Sequence, residues 1–146
     1  MSIDIAASPQ QTWAIISDIT RTGEWSPECV KVDLEGGQVV PGARFVGHNR
    51  DGSREWQMHG VVDSVEAPQL FSFHTERGGE VRTRWTYRLA PGASGGTVLT
   101  ESWHRVVTPP ALARLIERIV LRGRDRHNRA NVLASLERIK ALAEAA

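Results

Sequence analysis

The chain begins with a short alternation over residues 2–6, with Ile3 and Ile5 on one side, closed by Ser8-Pro9. Period two predicts a strand, while Ser8 suits a helix N-cap and Pro9 a first helical position. Trp13, Ile16 and Ile19 then recur at helical steps and stop before Gly23, so a short helix over residues 9–19 packs by one face.

From residue 30 the period changes. Val30, Val32 and Leu34 oppose Lys31, Asp33 and Glu35, and after turns at Gly36-Gly37 and Pro41-Gly42, Phe45, Gly47 and Asn49 oppose Arg44, Val46 and His48. Asp51-Gly52 signals a hairpin, beyond which Trp56, Met58, Gly60 and Val62 share a face. Pro68 precedes another strand over 70–76, and Gly78-Gly79 turns the chain into the cleanest alternation of all. There Val81, Thr83, Trp85, Tyr87 and Leu89 face one way and Arg82, Arg84, Thr86 and Arg88 the other, one side buried and one wet. Gly95-Gly96 leads to a last strand with Leu99, Glu101 and Trp103 inward. Beyond Pro109-Pro110, Leu112, Leu115, Ile116, Ile119, Ala130, Leu133, Leu136 and Ile139 recur at three- and four-residue steps and predict one long amphipathic helix.

This order contains no β-α-β alternation, which excludes a doubly wound parallel sheet and leaves the α+β class. The expected architecture is a curved antiparallel sheet of about seven strands wrapped around the long C-terminal helix, with one or two short helices after the first strand. Residues 1–146 read as one domain, since 40% hydrophobic and 24% charged content is that of an ordinary globular chain. Lys and Arg number 18 against 17 Asp and Glu, and this near balance gives no general drive toward nucleic acid. Cys29 has no partner for a disulfide, no apolar run approaches the length of a membrane span, and the N-terminus lacks a secretory pattern, which together point to the cytoplasm.

The phrases IDIAASPQQTWAIISDITRTGEWSPE, GGTVLTESW and SLERIKALAE resemble the polyketide cyclase/dehydrase branch of the START-like (SRPBCC) superfamily of helix-grip proteins, over nearly the whole chain. The resemblance rests on positions such as Pro9, Trp13, Asp18, Trp25 and Gly96. It implies a deep cavity between sheet and helix that binds lipids, polyketides or other small hydrophobic molecules.

If the apolar strand faces line that cavity, its wall includes Phe45, Asn49, Trp56, Met58, Phe71 and Phe73, and further along the sheet Thr83, Trp85, Tyr87, Leu99, Glu101 and Trp103. Ile116, Ile119 and His127 follow one another around the inner side of the helix. Aromatic walls with few polar groups suit a small-molecule pocket, and they equally suit an ordinary core. Glu101 is the most informative position, because an inward carboxylate must be paired, protonated or wet. It serves as an acid/base or ligand acceptor in one reading, and as the partner of a helix arginine or a group at the cavity mouth in the other. His48, His59, His74 and His104 fall on solvent faces, and His127 is either a cavity residue or part of a solvated charged run. No histidine pair has metal-ligand spacing, so neither a metal nor a cofactor is expected.

The leading reading is a binding domain for a small hydrophobic molecule. The alternatives are a polyketide aromatase/cyclase using Glu101 with Tyr87 or His127, and a regulatory protein whose cavity is filled by side chains. The sheet edge or the helix leaves room for a homodimer.

Overall fold

The computed structural model describes residues 1–106 and 113–146, with the backbone alone within 113–125. β1 (Ser2–Ile5) leads into α1 (Pro9–Ile16), a 3₁₀ turn (Ile19–Arg21) and the single-turn α2 (Thr22–Trp25). A meander follows of β2 (Cys29–Leu34), β3 (Arg44–Asp51), β4 (Arg54–Glu66), β5 (Leu70–Arg77), β6 (Glu80–Pro91) and β7 (Thr97–Arg105), and then α3 (Ala113–Glu144). The strands form one antiparallel seven-stranded sheet in the order β1-β7-β6-β5-β4-β3-β2. This is the helix-grip arrangement.

Ser8 caps α1 in a capping box, its Oγ accepting from the Gln11 N–H while the Gln11 side chain accepts from the Ser8 N–H, an arrangement that stabilises a helix start by about 1 kcal/mol. The helix ends at Ile16, earlier than the spacing predicts. Ser17 Oγ donates to the Trp13 carbonyl at 2.8 Å and Asp18 accepts from the Thr20 N–H at 3.1 Å, so local side-chain bonds close one turn and open another. Ile19 is nevertheless buried, carried inward by the 3₁₀ turn.

Two bulges interrupt the strict alternation of the strands. A register shift between Cys29 and Lys31 turns Val30 outward, at 52% exposure, and buries Cys29. A second shift, between Val62 and Ser64, brings Val65 rather than Ser64 opposite Phe71, while Asp63 stays on the outer face that alternation gives it and meets His74 at 2.7 Å and Arg84 at 3.0 Å. Glu76 joins the same cluster through Arg44 at 2.7 Å and His74 at 3.3 Å. His74 therefore lies on the outer face as expected but is largely covered by its ion pairs, and His48 is bonded to Asp33; His59 and His104 are exposed.

The core lies between the inner face of the sheet, α1, α2 and the C-terminal half of α3. Along α3, Val132, Ser135, Leu136, Ile139 and Ala143 are buried, whereas Ala130 and Leu133 are exposed. Leu133 sits about 100° around the helix from Val132, so the stripe runs through Val132 rather than through the leucine that the three-residue step selects. Leu112, Leu115, Ile116 and Ile119 lie outside the described residues and side chains.

One contact sets the shape of the inner face. Phe45 lies opposite Gly60 in the register, and its ring occupies the space of a side chain at Gly60, where an added Cβ would stand 2.3 Å from a ring atom. Held there, Phe45 meets Phe73 edge-on at 5.5 Å. Gly60→Ala is expected to cost about 1–3 kcal/mol in urea unfolding, as overpacking does, and Gly47→Ala less, because the nearest atom to its added Cβ is 3.8 Å away.

Candidate functional site

The inner face divides along the strands. Phe45, Phe71, Phe73, Tyr87, Leu99 and Glu101 are buried, whereas Asn49, Trp56, Met58, Thr83, Trp85 and Trp103 are only half-buried. The half-buried set gathers at one end of the sheet, where the β3–β4 and β5–β6 hairpins turn and β7 finishes. Trp85 and Trp103 are register partners with ring centroids 6.2 Å apart. Strand parity therefore aims these side chains inward, and the hairpin ends leave them incompletely covered.

At the boundary between the two halves stands the pair of Tyr87 and Glu101, directly opposite each other on β6 and β7. The Tyr87 hydroxyl donates to Glu101 Oε1 at 2.9 Å. Glu101 is 2% exposed, and its Oε2 is buried without a hydrogen-bond partner among the described residues. Burial pushes its pKa up to about 7, against the opposing pull of the Tyr87 hydrogen bond and the N-terminal ammonium. Burial, and then the Glu101 carboxyl beside it, hold the Tyr87 phenol well above its ordinary range. Tyr87 is therefore the donor throughout the neutral range, and Glu101 is the group that changes state.

Trp25 of α2 also packs edge-on against Tyr87 at 5.7 Å, and its Nε1–H is buried without a partner among the described residues. An unfilled donor and an unfilled carboxyl oxygen thus belong to two residues that both contact Tyr87. Such groups are costly to leave unsatisfied, and a carbonyl or hydroxyl reaching them would remove that cost. In the sequence Trp25 reads only as a structural position, since nothing in its spacing links α2 to β6.

Glu101 is partnered by tyrosine rather than by an arginine among the described residues. His127 is not brought to this pair. It is half-exposed on α3 and bonded to Glu28, which also accepts from Asn131 Nδ2 at 2.9 Å. Glu28 and Asp51, which the sequence reading did not single out, approach His127. Only folding brings these positions together. The side chains of Ile116 and Ile119 fall outside those described.

An open cleft of about 480 Å³ lies at the β2–β3–β4 edge. It shares Asn49 and Trp56 with the half-buried set, and Lys31, His48, Glu55 and Gln57 also line it.

The sequence matches a family model described as polyketide cyclase / dehydrase and lipid transport over residues 1–144. The solution structure of a Polyketide_cyc-like protein from Corynebacterium glutamicum is 32% identical, with a TM-score of 0.61, 98% of this chain and 86% of that one being covered. The di-domain ARO/CYC StfQ from the steffimycin biosynthetic pathway has a TM-score of 0.70 at 17% identity, over 99% of this chain and 49% of the longer one. A protein of unknown function from Staphylococcus aureus has a TM-score of 0.74 at 9% identity, over 99% of this chain and 93% of that one. The last two likenesses concern the fold alone. A search of curated proteins gave no match. No helix among the described residues is long and apolar enough to cross a membrane. With a family match along nearly its whole length and the seven-stranded sheet and long C-terminal helix in place, the chain belongs to the polyketide cyclase/dehydrase and lipid transport family.

Proposed function

We propose that the protein binds a small hydrophobic molecule, of the lipid, polyketide or aromatic kind, against the hairpin end of the inner face. The observation that carries this reading is the division of that face. Trp56, Met58, Trp85 and Trp103 form an apolar surface that the fold leaves half-covered, while the remainder of the face is sealed. Apolar area of this kind supplies affinity, and Asn49, Thr83 and the deeper pair of Tyr87 and Glu101 supply orientation. The family assignment supports the same class of ligand.

A second reading is favoured by one observation, the unpartnered Glu101 Oε2. A carboxyl whose pKa is about 7 can give or take a proton near neutral pH, as an aromatase/cyclase step requires. In this reading Tyr87 orients Glu101. His127, engaged with Glu28 outside the buried pair, takes no part.

Binding is checked by native mass spectrometry for a co-purified molecule and by tryptophan-fluorescence titration with a fatty acid and a polycyclic phenol. Trp85→Ala is expected to weaken binding about tenfold, or about 1.4 kcal/mol, whereas Arg88→Ala on the outer face leaves it unchanged. Equal affinities for both variants, with folding intact, would exclude the inner face as the site.

The protonation of Glu101 makes a separate prediction. Its ordinary value is 4.5 and its folded value about 7, so between the two the folded chain holds the proton that the unfolded chain has released. Stability is therefore greatest below about pH 4.5 as far as this group is concerned, falls as pH rises toward 7, and then levels. Urea unfolding at pH 5 and pH 8 is expected to show a loss of up to about 3 kcal/mol that Glu101→Gln does not share. Parallel pH profiles for the two proteins would refute the buried acid.

A further inference from the structure

We propose that Glu28, Asp51 and His127 form a site for one divalent transition-metal ion of the Zn²⁺ class, tying α3 to the sheet beside the β3–β4 hairpin. The three residues come from separate elements: Glu28 stands immediately before β2, Asp51 ends β3 at the hairpin, and His127 lies on α3. One ligand atom from each lies within 4.8 Å of the others. Ligands at about 2.0–2.2 Å from a tetrahedral ion stand about 3.3–3.6 Å apart, a distance that side-chain rotation reaches from this starting geometry.

Ordinary ion pairing accounts for only part of the cluster. His127 Nε2 and Asn131 Nδ2 both engage Glu28 Oε1. Asp51 has neither an ion pair nor a side-chain hydrogen bond among the described residues, although its carboxylate is held near that of Glu28. Two carboxylates at this separation repel, and a single imidazole balances one of them at most. The outer-face cluster around His74 is the instructive contrast. There Arg84 holds Asp63 and Arg44 holds Glu76, so that its charges are already matched by protein cations.

One imidazole nitrogen and two carboxylate oxygens suit Zn²⁺, Mn²⁺ or Fe²⁺ better than the thiolate-seeking ions or Ca²⁺. Asn131, one turn beyond His127, would hold the Glu28 carboxylate in place from outside the ligand set. Three protein ligands leave a position for water or another small donor. The hairpin also carries Asn49 and Trp56, so an ion here would fix one wall of the proposed ligand site, but the metal site does not depend on that reading.

The test uses the full chain stripped of metal by chelation, with Zn²⁺ titrated calorimetrically and the melting temperature followed in parallel. The expected result is one ion per chain with a rise in Tm, and at least about a tenfold loss of affinity in each of Glu28→Gln, Asp51→Asn and His127→Ala. His74→Ala is expected to bind as the parent does. Asp51→Asn is the decisive variant, being conservative and exposed. Absence of saturable binding, wild-type affinity in Asp51→Asn, or loss of binding in His74→Ala would each overturn the proposal.

Discussion

A single sheet presents one apolar face, and the packing of this protein follows from how that face is covered. Phe45, Phe71, Phe73 and Tyr87 form a continuous aromatic floor through edge-on, tilted and stacked contacts. The C-terminal half of α3 seals it with Val132, Leu136, Ile139 and Ala143. Polar bonds pin the helix at this end: Glu144 accepts from the Ala6 N–H, Lys140 reaches the Asp4 carbonyl and Arg138 the Ser26 carbonyl. The tight closure lies at the β1 end. At the opposite end, the same strands present Trp56, Trp85 and Trp103 half-covered, so the helix anchorage determines which end of the face stays open.

Glu101 is the costliest side chain in this arrangement. A carboxyl at 2% exposure among aromatic rings loses its hydration, and one hydrogen bond from Tyr87 restores only part of what is lost. An apolar pair of similar volume at these positions would stabilise a purely structural core at least as well. That an acid stands here, with one oxygen unfilled and Trp25 Nε1 unfilled nearby on Tyr87, supports a role beyond packing. The family is described by polyketide cyclisation, dehydration and lipid transport, yet a fold hosts many activities, so what this chain does must be argued from these particular groups.

Local chemistry determined a large share of the architecture. The alternation of β6, the Ser8-Pro9 helix start and the glycine-rich turns identified every strand and the long helix, because period and turn chemistry act between near neighbours. The inward placement of Tyr87 and Glu101 followed from parity alone. Parity failed at Val30, because it sits at a bulge, and a bulge is set by pairing with another strand. The helix stripe failed at Leu133 for a related reason: the buried face of α3 is decided by the surface it packs against.

Tertiary structure alone decided what Glu101 meets. Sequence parity placed the carboxyl inward, but strand register selected Tyr87 as its partner, and α2 brought Trp25 against that ring. It likewise took His127 away from the interior and set it beside Glu28 and Asp51. Periodicity reports which way a side chain points, since this depends on the local backbone. Which side chains converge depends on contacts between distant segments, and those exist only once the sheet has formed around its helix.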